Sequence, residues 1–175
     1  MKKRMVIVAG TVGMACWLLV FGLGIFVASQ PYRDQLAKVF EWGNLLKAIL
    51  TYTPTNVALL SVLAGFLGGC SSLLLYADAK PASTAVDESG KPLPDEERLA
   101  FLTENPVNSG LRGFAIYLTF LAGTVLGANQ PFATTTQDQY CRMAGAVAIL
   151  AFAVGYDPTF FRQFISALPK KSKPQ

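Results

Sequence analysis

The sequence predicts an all-α membrane protein with four transmembrane helices and amphipathic interfacial helices, in one membrane domain that covers residues 1–175. Of its residues, 52% are hydrophobic and only 15% are charged, which is too apolar for an ordinary soluble domain. Four apolar segments alternate with polar ones, and a hydrocarbon core of roughly 30 Å takes about 20 apolar residues per helix. We therefore expect lipid to surround most of the chain.

The first predicted span covers residues 5–28, which carry no charge and directly follow Lys2, Lys3 and Arg4. A cleaved signal peptide is the alternative, but the segment is longer than an ordinary signal-peptide core, which favours retention. Residues 32–50 then place apolar side chains at helical spacing and charges on the other faces. This pattern is typical of a helix lying in the membrane surface.

The second predicted span, residues 57–77, follows a break and helix cap at 53–56. Residues 78–110 are proline-rich and acidic, which predicts an aqueous loop, and the third span covers 113–129. The fourth span, 140–156, has an apolar part short enough for a buried or re-entrant helix as the alternative. Asp157 and Pro158 predict the start of a C-terminal amphipathic helix over 158–168.

Several arginines and aromatic residues in or beside these segments have the character of membrane anchors. An arginine extends along apolar surface to keep its charge in water, and aromatic rings favour the headgroup region. The predicted anchors are Trp17, Trp42, Arg112, Arg142, Phe160 and Phe161.

The distribution of basic residues predicts the orientation. With four spans, both termini and the acidic loop share one side, which then carries eleven of the fifteen lysines and arginines. The positive-inside rule places that side in the cytoplasm. The expected location is a bacterial inner membrane or an internal photosynthetic membrane.

Two similarities within the sequence raise the hypothesis of a repeated helical hairpin, a 2+2 arrangement. Residues 27–32 read VASQPY and residues 127–132 read GANQPF, and an Ala-Gly pair precedes a tyrosine by eleven residues in both the second and fourth spans. Chance similarity between small-residue-rich helices is the alternative.

Residues 55–69, the entry from Asn105-Pro106 to Arg112-Gly113, and the Ala144-Gly145 helix resemble a group of small bacterial four-span membrane proteins of unassigned function. The resemblance covers about the last two thirds of the chain. It implies four spans and carries over no activity.

The sequence shows no pattern typical of an enzyme or a cofactor site. It has no histidine, which removes the commonest general base and metal ligand, and its three cysteines lie far apart. No phosphate-binding loop or hydrolase elbow is present, and the span interiors lack charges on which ion coupling depends. The basic termini suit anionic lipid headgroups, so we expect no nucleic-acid partner.

Glycines within the spans are instead the candidate functional residues, because they let helix backbones approach closely. The predicted packing and interface positions are Gly10, Gly13, Gly65, Gly68, Gly69, Gly123, Gly127 and Gly145. The favoured hypothesis is an accessory or scaffolding subunit that binds other membrane proteins through small-residue faces. The alternatives are a homo-oligomeric channel for ions or small solutes and, third, a protein that binds lipid or quinone between its helices.

Overall fold

The structure is a computed structural model that describes residues 3–76, 105–126, 136–157 and 159–160. Over these residues the chain forms helices without strands, which confirms the predicted all-α class. The helices are α1 (Lys3–Phe26), α2 (Gln30–Lys38), α3 (Trp42–Thr51), α4 (Thr53–Tyr76), α5 (Pro106–Leu126) and α6 (Gln137–Tyr156).

Among the described helices, α1 and α4 are long and apolar enough to cross a membrane, with mean hydropathies of 2.3 and 2.0. This indication of membrane association rests on length and composition. The predicted third and fourth spans form α5 and α6, whose first two turns carry polar residues: Asn108 and Arg112 in α5, and Asp138 and Arg142 in α6. Membrane crossing by four helices therefore stays a prediction.

The predicted interfacial helix over 32–50 is divided into α2 and α3. Val39 and Glu41 have extended backbones, with φ of −142° and −132°, and these break the helix between them. The Arg33 guanidinium lies 4.6 Å from the centre of the Tyr52 ring, and the Lys47 ammonium lies 5.5 Å from that of Tyr32. Such cation–π contacts hold the two short helices together at one end of the bundle.

The start of α4 also differs from the prediction. Residues 53–56 are its first helical turn and not a cap in front of it, since the Asn56 N–H donates to the Tyr52 carbonyl oxygen. The Thr55 hydroxyl donates to the carbonyl oxygens of Ile49 and Tyr52. These bonds tie the end of α3 to the beginning of α4.

The predicted loop over 78–110 ends earlier than expected. Residues 78–104 lie outside the described part, and helix α5 already begins at Pro106. Asn105 provides its cap, because the Asn105 Oδ1 atom accepts a hydrogen bond of 3.0 Å from the Val107 N–H. An Asn cap followed by proline is a favoured helix start, so the helical segment begins seven residues before the predicted span.

Helix α6 begins with a capping box. The Thr136 hydroxyl oxygen accepts from the Gln139 N–H, and the Gln139 side chain accepts from the Thr136 N–H. At its far end, the Asp157 carboxylate accepts from the Thr159 N–H at 2.8 Å, which agrees with the predicted cap at this position. Apart from residues 159–160, the predicted C-terminal helix over 158–168 lies outside the described residues.

Helix α4 is the centre of the bundle and contacts α1, α5 and α6. It runs antiparallel to α1 and α5 and parallel to α6, so the four long helices alternate in direction. Two contacts along each helix pair fix these directions. For α1 with α4 they are Val20 with Asn56 and Gly13 with Leu67. For α5 with α4 they are Ser109 with Gly69 and Gly113 with Gly65, and for α6 with α4 they are Tyr140 with Asn56 and Phe152 with Gly68.

The described contacts differ from those of a symmetric 2+2 bundle. In such a bundle, a two-fold axis would relate the hairpin of α1 and α4 to the hairpin of α5 and α6. The contact between α1 and α6 would then match the contact between α5 and α4. Instead α5 packs along α4, whereas α1 meets α6 near one end, at Gly24 and Ile25 of α1. Gly65 is buried, while its proposed counterpart Gly145 has open space beside it.

Candidate functional site

The closest helix packing occurs where α4, α5 and α6 meet at glycines. A Cβ atom on Gly65 would stand 3.0 Å from the Cα of Gly113 and would collide with the Ser109 carbonyl oxygen. A Cβ on Gly155 would stand 2.8 Å from the Cα of Gly65. The neighbouring atoms belong to backbones that cannot yield locally, so this three-helix contact requires glycine at Gly65, Gly113 and Gly155.

Two further predicted glycines extend this contact along α4. A Cβ on Gly68 would stand 2.7 Å from the backbone nitrogen of Tyr156, and one on Gly69 would stand 2.6 Å from the Ser109 Cβ. The structure thus brings Gly65, Gly68 and Gly69 into one surface of α4 that faces α5 and α6.

The predicted glycines of α1 pack less tightly. Gly13 faces side chains, since its added Cβ would stand 3.2 Å from a methyl group of Leu67 and 3.3 Å from the Phe66 ring. Gly10 has only an ordinary van der Waals neighbour, the Cβ of Cys70 at 3.7 Å. Helix α1 is therefore held against α4 through side chains and not through backbone contact.

Two other predicted glycines, Gly123 and Gly145, lie outside this packing. No atom of the described residues lies within 4 Å of an added Cβ at either of them, so these positions are open with respect to that part of the chain. Gly127 lies outside the described residues.

A buried polar network joins α1, α3, α4 and α6. The Tyr140 hydroxyl donates to the Asn56 Oδ1 atom at 2.6 Å, and the Asn56 amide donates to the Val20 carbonyl oxygen at 2.7 Å and to that of Leu50. Asn56 is fully buried, and Tyr140 is nearly so. Buried polar groups cost free energy unless they are paired, and these groups are paired with one another and with backbone carbonyls.

Sequence reasoning missed Gly113, Gly155, Asn56 and Tyr140 as packing residues, whereas Gly24 belongs to the glycines of the first span for which it predicted close helix contact. A Cβ on Gly24 would collide with the Tyr140 hydroxyl, so glycine here makes room for the network. An asparagine within an otherwise apolar span was the available signal, because such a residue is expected to bond across helices.

Arg112, a predicted anchor, ties α5 to the end of α6. Its Nε–H donates to the Val154 carbonyl oxygen at 3.0 Å, and a terminal N–H donates to the Ser109 hydroxyl at 3.1 Å. Val154 lies in the last turn of α6, where carbonyl groups lack helical partners and the helix dipole favours a cation. The guanidinium group therefore caps α6 from a neighbouring helix.

The other predicted anchors have different surroundings. Trp42 is exposed and packs edge to face on Phe40 with ring centres 5.1 Å apart, and Arg142 forms an exposed ion pair with Asp138 at 2.9 Å. Trp17 instead stacks on Phe21 inside the bundle, and its buried indole N–H has no acceptor in the part of the chain that the structure describes. Phe160 is exposed, and Phe161 lies outside the described residues.

An apolar groove of about 820 Å³ lies between α1, α4 and α5. Its volume is that of an ordinary ligand site, for which roughly 300–1,000 Å³ is typical. Arg4 lies at one end of it and Cys16 at the other end along α1. The lining between them is formed by Met5, Val8, Ala9, Val12, Gly13, Val62, Leu63, Phe66, Val107, Gly110 and Leu111.

Three hydroxyl groups along the long helices bond to carbonyl oxygens of their own helix. The hydroxyls of Thr11, Ser61 and Thr119 donate to the carbonyl oxygens of Ile7, Ala58 and Ala115, respectively. Within residues 3–76, 105–126 and 136–157, no group of three metal-ligating side chains comes together. The described arrangement can therefore pack helices and hold an apolar ligand.

Comparisons with protein-family models, with curated proteins and with solved structures found no match to this chain.

Proposed function

We propose that the protein is an integral membrane accessory or scaffolding subunit whose four long helices cross the bilayer and whose outer faces bind neighbouring membrane proteins. The observation that carries this proposal is the outer surface of α1. Large apolar side chains there are more than half exposed. Such exposure is unfavourable in water, but it carries no such cost in lipid or against a partner helix. Those that lie outside the groove include Leu18, Leu19 and Phe26.

The outer faces of the other long helices support the same proposal. Ile149 of α6 is also more than half exposed, and Leu118 of α5 is nearly half exposed. Gly123 and Gly145 add two positions at which a partner backbone has room to approach closely. The central core is meanwhile closed by backbone contact among α4, α5 and α6, so these outer faces are available for association.

A homo-oligomeric channel is the second hypothesis, and the described residues favour it less. A pore assembled from several copies needs polar side chains on the faces that line it. In the described helices, the hydroxyls of Ser61 and Thr119 are occupied by their own helix, and the Asn56 amide and Tyr140 hydroxyl are buried and paired. The long outer faces are apolar and offer an ion no replacement for its water shell.

Membrane integration is tested first, by extraction of native membranes at alkaline pH. We expect the protein to stay in the membrane fraction, and its release would overturn the proposal.

The topology is tested by protease accessibility. A protease applied to sealed cytoplasmic-side-out vesicles is expected to reach residues 78–104 and the C-terminus from the same side. Cleavage of only one of them would refute four spans with cytoplasmic termini.

Partner binding is tested by a photoreactive amino acid placed at Leu18 or at Ile149, which lie on different outer faces. A matched probe at the exposed Lys38 of α2, outside the long helices, reports non-specific capture. We expect a protein adduct of fixed size from at least one of the two membrane positions. Adducts that contain only copies of this chain, together with ion conduction in liposomes, would instead establish the channel.

A further inference from the structure

The groove between α1, α4 and α5 has one charged lining residue, Arg4, at its end. All its other lining residues are apolar side chains, glycines or the thiol of Cys16. Arg4 is exposed, so its guanidinium is accessible at the mouth of the groove. A ligand that matches this arrangement has one anionic group and a long apolar part.

Glycines keep the groove deep. Gly13 on α1 and Gly110 on α5 both line it, and both lie against Phe66 of α4. An added Cβ would stand 3.3 Å from the Phe66 ring at Gly13 and 3.5 Å from a Val62 methyl group at Gly110. Larger residues at these positions would fill the space between α1 and α5.

The length of the groove distinguishes a lipid from a partner helix. From Arg4 to Cys16 is twelve residues of α1, which at about 1.5 Å per residue is about 18 Å. The acyl chains of one leaflet span roughly 15 Å, which is half of a hydrocarbon core of about 30 Å. A transmembrane partner helix would instead need a groove that extends over the full thickness of the core. The groove thus has the length of one leaflet's acyl chains.

We propose that the groove binds one anionic phospholipid, with its phosphate on Arg4 and its acyl chains along α1 toward Cys16. This inference rests on the proposed membrane location. A guanidinium group offers paired N–H donors that match two phosphate oxygens, so Arg4 supplies both charge and geometry. The basic residues that precede it, Lys2 and Lys3, place further positive charge at the same end of the sequence.

The test is native mass spectrometry of the full chain purified in mild detergent and titrated with phosphatidylglycerol or phosphatidylcholine of identical acyl chains. We expect the wild type to bind one phosphatidylglycerol more tightly than phosphatidylcholine. Arg4→Gln is expected to weaken phosphatidylglycerol binding by about fivefold, because one basic residue near a membrane surface contributes about 1 kcal/mol. The control Arg142→Gln removes one exposed arginine from the opposite end and should leave binding unchanged.

A second pair of variants tests the apolar part of the site. Ala9→Trp places a large ring in the groove and should reduce binding of both lipids, whereas Ala15→Trp places the same ring on an exposed position of α1 outside the groove. Equal lipid binding by the two tryptophan variants would overturn the assignment. So would equal affinity of the wild type for the two lipids.

The outcomes separate this inference from the proposed function. A protein that resists alkaline extraction but binds neither lipid would refute the lipid site and leave the membrane subunit proposal standing. A dimer whose cross-links map to Val8 and Leu111 would show that a second copy occupies the groove, and would also refute it. Release by alkaline extraction would overturn both proposals.

Discussion

Replacement of Gly65 by alanine adds a single methyl group at the point where three helices touch. That methyl would collide with the Ser109 carbonyl oxygen and stand 3.0 Å from the Cα of Gly113. Overpacking of a core costs about 1–3 kcal/mol, and the upper end applies here because backbone atoms must move. Alanine also stabilises the helix by up to about 1 kcal/mol, because its helix propensity is higher than that of glycine. We expect the free energy of unfolding to fall by about 2 kcal/mol.

The assay is reversible unfolding in mixed micelles of a mild detergent and sodium dodecyl sulfate, followed by far-ultraviolet circular dichroism. Gly145→Ala is the matched control, since no atom lies within 4 Å of its added methyl, and it should be neutral or stabilising by less than about 1 kcal/mol. The stability of Gly13→Ala should lie between those of the other two variants, because the side chains of Phe66 and Leu67 can shift away from the added methyl group. Equal stability of Gly65→Ala and Gly145→Ala would refute the three-helix contact.

Three other predictions, which use four substitutions, concern the remaining contacts and are checked in the same unfolding assay. Tyr140→Phe should lower the free energy of unfolding by about 1–3 kcal/mol, because it leaves the buried Asn56 oxygen without its donor. Adding Asn56→Leu should restore part of this loss. Additive losses of stability in the double variant would contradict the network. Thr136→Ala should cost about 1 kcal/mol through loss of the capping box, and no change in stability would show that α6 does not depend on that cap. Arg112→Lys keeps the charge but loses the planar donor set that reaches the Val154 carbonyl oxygen, so it should cost roughly 1 kcal/mol or more; wild-type stability would mean that charge alone suffices.

Hydropathy predicted the four long helices, and apolar residues at helical spacing predicted a helical segment over residues 32–50. Helix starts were less predictable. The polar first turns of α5 and α6 resemble loop sequence, and they become helical because Asn105 and Thr136 cap them. The division at 39–41 was also missed, since the apolar spacing of residues 32–50 continues across it.

The candidate site was predicted in part. Small-residue spacing identified Gly65, Gly68 and Gly69, but periodicity shows which residues share a face and not which helix covers that face. Gly113 and Gly155 were therefore missed. The groove could not be predicted, because its three walls come from segments far apart in the sequence and exist only once those helices are packed.

The glycine face of α4 also sets an order of events during synthesis. Helix α4 is synthesised before α5 and α6, the helices that cover this face, which end at Leu126 and Tyr156. A nascent chain must therefore keep α4 paired with α1 alone, through the looser contacts at Gly10 and Gly13. A ribosome that stops before residue 106 would release a hairpin of α1 and α4 whose closest-packing surface lacks both α5 and α6. Such a fragment would be a natural target for membrane proteases.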